Sequence, residues 1–180
     1  MVQTLHPDLG AVQLHKNVLD GMVAANGLFT AAVLLGVTST VTPLSSVPTN
    51  CIAGDDINHL LVLLEVGSFG CYLLSSLIAQ GLKLKIVYYE GIVKKYPDTK
   101  ETVENVRTFF YISVLFTLLG SSLFLLSIIE LIQIKLGLYS CGNPAVVIPA
   151  IVIGLLFLFG ILVYGAYAYQ FLNDVTKRFP

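Results

Sequence analysis

Four long apolar runs constrain this chain more than any motif in it. They cover about 18–41, 59–80, 108–132 and 145–169, and each reaches the roughly 20 mainly apolar residues that a helix needs to cross a bilayer. Composition agrees: of 180 residues, 56% are hydrophobic and only 12% charged, whereas a soluble domain of this size carries far more surface charge. The first run ends in VTSTVTPLSSVPTN, whose Ser/Thr content with Pro43 and Pro48 marks a loop. The fourth follows CGNP, a second turn signal. The N-terminal region has neither the basic start nor the short apolar core of a cleavable signal peptide, so the run after His15 and Lys16 reads as a retained span. The expected fold is an all-α membrane protein, one four-span bundle over 1–180.

The basic residues orient it. Lys16 precedes the first span; Lys83, Lys85, Lys94, Lys95, Lys100 and Arg107 lie between the second and third; Lys177 and Arg178 follow the fourth. The two other loops share only Lys135. Such a positive-inside bias puts both termini and the middle segment in the cytosol. The net charge of −1 conceals this segregation. Cys51 and Cys141 then fall in two loops on the lumenal or outer side, where disulfides persist. A bridge between them is one expectation and two free thiols the other, since spacing supplies no geometry. Cys71, in mid-span, reads as a small packing residue.

The middle segment has a pattern of its own. Apolar residues recur at Leu82, Ile86, Tyr89, Val93 and Tyr96, and alternating steps of four and three mark a helix packed against another helix. After YPD, Asp98 and Glu101 stand as in a capping box, and Thr99, Val103, Val106 and Phe110 resume the spacing. Spans two and three are therefore expected to continue into the cytosol as a helical hairpin over about 81–107. Its charged outer face is a solvated surface on which Lys94, Lys95 and Lys100 can also meet anionic lipid.

Ionisable residues inside spans are costly and face a bundle interior or a water-filled path. Asp20, at the cytosolic edge of span one, reaches water. Glu65 lies about two turns inside span two, and Glu130 near the lumenal end of the antiparallel span three sits at similar depth. From Glu65, residues Ser68, Tyr72, Ser76 and Gln80 continue a polar stripe, and Asn26 adds an amide in span one. Each has a structural reading too. Glu130 snorkels or pairs with Lys135, Asn26 hydrogen-bonds between helices, and the serines satisfy local carbonyls. Small residues at Gly67, Cys71, Ser75 and Ala79, and at Gly27/Ala31, Ala32/Gly36 and Ala150/Gly154, let helices approach closely, within one subunit or between subunits.

Several activities are disfavoured. There is no nucleophile elbow, glycine-rich phosphate loop, Cys-x-x-C or metal-binding histidine pair, and His6, His15 and His59 lie far apart. No enzymatic activity, cofactor, metal site or nucleic-acid partner is expected. The spans also lack the inverted repeat and broken helix pair of an alternating-access transporter.

One four-helix bundle fills its own interior, so a polar stripe becomes useful when identical subunits close into a ring. A ring of Glu65 carboxylates would favour cations. Asp55 and Asp56, just before span two, would add a lumenal collar that concentrates them, and Glu90 a lower ring if it is not simply a solvated charge. The competing reading is a small tetraspan adaptor that packs against a larger membrane or signalling partner, with Glu65 meeting the partner's charge.

Three stretches, NGLFTAAVLLG (26–36), LLVLLEVGSFGCYLLSSLIAQGLKL (60–84) and IQIKLGLYSCG (132–142), together resemble a family of small plant four-span proteins. It includes those named for maternal-effect embryo arrest and an endoplasmic-reticulum cation channel of root immunity. The likeness covers all four spans and the cysteine-bearing third loop. It implies a pentamer around a central pore, selective for cations and permeable to calcium, acting in defence signalling at the endoplasmic reticulum. No family motif assigns pore residues, so Glu65, Asp55, Asp56, Glu130, Ser68, Ser76, Asn26 and Glu90 rest on the residue-level reading. Lys177 and Arg178 suit that membrane as a dibasic retrieval signal, or are flanking charges obeying the positive-inside rule.

Overall fold

The computed structural model describes residues 6–38, 42–45, 47–93 and 100–178. Among them there is no strand, and four helices follow the four apolar runs: α1 (His6–Thr38), α2 (Asp55–Val93), α3 (Lys100–Leu136) and α4 (Pro144–Arg178). All four are long and apolar enough to cross a membrane, which makes this a multi-pass, all-helical chain. α2 runs on past its apolar stretch to Val93, and α3 begins at Lys100. The turn expected at 94–99, with Asp98, and the side chains of 89–107, Glu90 included, lie outside the described residues.

Local signals set the helix ends at the Cys51 side of the molecule. Asn143 caps α4 by accepting the Ala145 N–H on its Oδ1 at 3.0 Å, and Pro144 occupies the first position, where a missing N–H costs nothing. α3 stops at Gly137, whose φ of +102° is unfavourable for any side-chain-bearing residue. A Cβ there would also press on Val47 and on the Cys51 carbonyl. That close approach lets the first loop lie across the end of α3: Leu44 N–H donates to Lys135 O at 3.1 Å, and Leu138 N–H to Cys51 O at 3.0 Å. Cys51 and Cys141 are joined in a disulfide. Of the two expectations for these thiols, the bridge is the one the structure contains.

Contacts fix the relative directions of the helices. Asn26 meets Ser75 and Asp20 meets Lys83, so α1 and α2 are antiparallel. Tyr72 meets Ser121 and Ser75 meets Ser113, so α2 and α3 are antiparallel too. α2 is the central element, and a single seam runs along it. Leu61, Glu65, Ser68, Tyr72, Ser75, Ala79 and Leu82 are all buried, in steps of four and three throughout. The facing residues obey the same rule: Leu19, Met22, Asn26 and Val33 on α1, and Phe110, Ser113, Thr117, Gly120, Ser127 and Ile134 on α3. A 3.5-residue repeat keeps one face of each helix turned toward its neighbours along its whole length.

Three helices share this seam; α4 does not. It is held at the Cys51 end by Val146, which is fully buried, and at the opposite end Ala168 packs against the cluster of Leu19, Met22, Ala79, Leu82, Phe110 and Val114. Between these points an apolar cleft separates α4 from α1 and α3. The four expected spans are thus all present, arranged as a three-helix bundle with a fourth helix alongside.

Candidate functional site

The polar residues that the spans carry converge inside the three-helix seam. At its centre Ser75 and Ser113 clasp α2 to α3 reciprocally: Ser75 Oγ donates to Ser113 O at 2.9 Å, and Ser113 Oγ to Ser75 O at 2.9 Å. Asn26 Nδ2 donates to Ser75 Oγ at 2.9 Å and so brings in α1. Thr117 Oγ1 lies 2.7 Å from Ser75 Oγ, and either hydroxyl can supply the proton of that contact. Thr117 Oγ1 also lies 3.4 Å from Asn26 Oδ1. Asn26, Ser75 and Ser113 are wholly buried, so every bond here is made away from solvent.

One layer toward the Cys51 end, Tyr72 donates to Ser121 at 3.1 Å and stacks on Phe29 at 5.2 Å between ring centroids. Phe29 in turn meets Phe124 edge-on at 5.9 Å. Here Gly120 admits α2: a Cβ on it would lie 3.0 Å from Cys71 Cβ. The small ladder at Gly67, Cys71, Ser75 and Ala79 therefore serves contacts within one subunit, Gly67 facing Leu123 and Cys71 facing Gly120. A Cβ on Gly27 or Gly154 would meet nothing within 4 Å, so the small residues there bring no helix of the same chain close.

Glu65 is 4% exposed and faces α1. A Cβ at Gly36 would collide with its Oε1, so the carboxyl fits only because α1 has a glycine at that level. Among the described residues its carboxyl makes no ion pair. Ser68, also buried, donates to Glu65 O at 2.9 Å, the local carbonyl bond that intrahelical hydroxyls favour.

The expected stripe through Ser76 and Gln80 is where the structure departs from the sequence reading. Ser76 is half-buried and Gln80 exposed; the seam continues instead through Ser75 and Ala79. Two further steps of four from Tyr72 rotate a side chain by about 80° around a helix with 3.6 residues per turn, which carries it off the face. The residues missed by that stripe, Ser75, Ser113 and Thr117, had a signal. Extending the hairpin's four-three spacing back from Leu82, or forward from Phe110, lands on them.

The remaining candidates separate in space. Asp55 and Asp56 form the exposed first turn of α2. Glu130 is half-buried near the end of α3 and accepts a 2.7 Å hydrogen bond from Gln133 Nε2; among the described residues no ion pair joins it to Lys135. Tyr139 follows, its hydroxyl buried and without a hydrogen-bond partner among the described residues. Burial, and then the nearby Glu130 carboxyl, push that phenol above its ordinary range. No group of three or more metal-ligating side chains occurs among the described residues. The structure thus brings Asn26, Glu65 and Ser68 into one seam and leaves Ser76, Glu130, Asp55 and Asp56 outside it. Compared with protein-family models, with curated proteins and with solved structures, the chain matches none.

Proposed function

We propose that this chain is the subunit of a homo-oligomeric, cation-selective and calcium-permeable channel, with the pore between subunits. The resemblance to the small plant four-span family supplies the pentamer, the endoplasmic-reticulum membrane and the role in defence signalling. The positive-inside bias supplies cytosolic termini.

The observation that carries the reading is the division among the acids. Glu65 is enclosed by α1, whereas Asp55 and Asp56 stand exposed at the start of α2. A seam packed with side chains leaves no aqueous route through one subunit, so ions would pass along a surface that subunits share. In a ring lined by α2, Asp55 and Asp56 form the lumenal collar that attracts cations. Below them Val62, Val66, Leu73 and Leu77, all exposed, form an apolar neck, a constriction of the kind that gates by dewetting. Gln80, also exposed, lies toward the cytosolic mouth. Selectivity in this version belongs to the Asp55–Asp56 collar, and Glu65 holds the subunit together.

The second reading, a tetraspan adaptor, is favoured by α4, whose apolar window is only 6% buried in the chain. Such a helix suits a larger membrane partner as well as it suits another subunit.

Single-channel recording of the purified protein under a calcium gradient tests both. Currents whose calcium preference is lost in Asp55→Asn/Asp56→Asn and kept in Glu65→Gln are expected. Preference lost in Glu65→Gln instead would return selectivity to the seam. Folded, monomeric protein that carries no current would favour the adaptor.

A further inference from the structure

Glu65 occupies the rim of the three-helix seam, not its centre. Lys83, further along α2 by about five full turns at 3.6 residues per turn, stands at the same angle around the helix, and its side chain is 39% exposed. Next to Glu65 on the outward side is Val62, three residues earlier and therefore a neighbour about 5–6 Å away at Cβ. Val62 and Val66 are both exposed. The seat of Glu65 against α1 thus adjoins the apolar neck described above.

That seat offers a shape but no bond. It exists because residue 36 is glycine, since a Cβ there would overlap Oε1. The Ser68 hydroxyl bonds the backbone carbonyl of Glu65 and not its carboxyl. Among the described residues the carboxyl has neither an ion pair nor a hydrogen bond. Enclosing a carboxyl without a partner is costly, and only close packing against α1 opposes that cost. Outside the seat the balance reverses. In a ring lined by α2, carboxyls from all subunits meet at one level beside Val62 and Val66, where water and cations are their partners.

We propose that Glu65 is the gate of the neck, and a cation site that forms only when the gate opens. Seated against Gly36, it leaves Val62 and Val66 as a dry constriction. Turned outward, it makes that level acidic, wets it and binds the permeant cation. Cations gathered by Asp55 and Asp56 bind only the outward arrangement and so draw the population toward it. Calcium preference stays with the collar; Glu65 sets how often the neck conducts. The effect on current rests on the channel reading, and the movement itself rests on the fold.

Full-length protein is reconstituted in phosphatidylcholine vesicles and treated with a water-soluble carbodiimide and taurine, which together amidate carboxyls that reach water. Modification at Glu65 is read by mass spectrometry, and open probability by single-channel recording of the same preparations. Gly36→Ala fills the seat and should raise both readouts about tenfold. Adding Glu65→Leu to Gly36→Ala should return open probability to the wild-type value or below, because the neck is then apolar in either position. A cooperative melt and the wild-type gel-filtration volume exclude unfolding of Gly36→Ala. Should it misfold, Val62→Ser replaces it, favouring the outward position from the exposed side, and should likewise raise modification at Glu65. Wild-type currents with both readouts unmoved by Gly36→Ala overturn the gate and leave the channel. An open probability that rises equally with and without Glu65→Leu overturns it too, since the carboxyl is then not the agent. Absence of current from folded wild type sinks the channel reading and the gate with it; the movement of the carboxyl then stands or falls on the modification alone.

Discussion

α2 and α4 are both long membrane-spanning helices, yet they join the molecule in opposite ways. A third of the apolar window of α2, 33%, is buried inside the chain, against 6% for α4, although α4 is the more apolar of the two. In water that ranking would be reversed, because apolar surface drives burial. In a bilayer, lipid tails are as apolar as leucine, and helices are held by close packing and by polar groups that need partners. α2 has both, with Glu65, Ser68 and Ser75 beside Gly67, Cys71 and Ala79. Between Pro149 and Tyr169, the polar groups of α4 are tyrosine hydroxyls alone. Polarity, not hydrophobicity, marks the buried face here.

The strongest way to break this contrast is at the seam's centre. Ser75→Leu forces a branched side chain into a site where Ser113 Oγ is 3.0 Å and Thr117 Oγ1 2.7 Å away. Overpacking and stranded hydroxyl and amide partners together should cost about 3 kcal/mol, read as a fall in unfolding free energy in bicelles. Ser75→Ala, which loses the bonds without overfilling, should cost about 1 kcal/mol. Ser76→Leu, one residue along and off the seam, should stay within about 0.5 kcal/mol. Equal costs at positions 75 and 76 would mean that the buried face has been misidentified.

A smaller effect sharpens the role of Glu65. Gly36→Ala puts a methyl group where Glu65 Oε1 lies, and overpacking of this kind costs about 1–3 kcal/mol. Shortening the acid should relieve it: Gly36→Ala combined with Glu65→Ala should recover to within about 0.5 kcal/mol of Glu65→Ala alone. Gly27→Ala, whose Cβ meets nothing, should be neutral or gain up to about 1 kcal/mol from helix propensity. Should the two glycines respond alike in the unfolding measurement, the contact between α1 and Glu65 would be refuted.

Much of this architecture was legible in the residues, and the reason is the bilayer. Four apolar runs of sufficient length dictate four helices almost independently of detail, and the breaks at Pro43, Pro48 and CGNP fall between them. The four-three spacing read from Leu82 leads back along α2 to Ala79 and Ser75, both buried, while the side chains of its own continuation past Tyr88 lie outside the described residues. Inside the spans the same period is obscured, because there both lipid-facing and buried positions are apolar. The polar residues carry it instead, and Ser75 beside Ser76 offers two stripes that only helix geometry separates. Which helix Glu65 faces was not readable, because that depends on Gly36, far off in sequence and unremarkable as a residue type. The pairing of Cys51 with Cys141 needed the fold of the first loop over Gly137.

The smallest predicted effect bears on the other side of the contrast. Leu158 on α4 is 55% exposed and, in an isolated subunit, exchanges one hydrocarbon surface for another when the chain unfolds within the membrane. Leu158→Ala should therefore change stability by no more than about 0.5 kcal/mol in protein held as a monomer. Val146→Ala, on the same helix where it is fully buried at the Cys51 end, should cost about 1 kcal/mol or more, since it leaves a cavity. On the homo-oligomer proposed above, the useful comparison is then between monomer and assembled protein. If Leu158→Ala remains silent at concentrations where the protein is oligomeric, α4 faces lipid and the subunits meet through α2 or α1. If its cost rises toward that of Val146→Ala, α4 is the surface through which one copy holds the next. The low burial of α4 within one chain would then be explained by contacts made outside it.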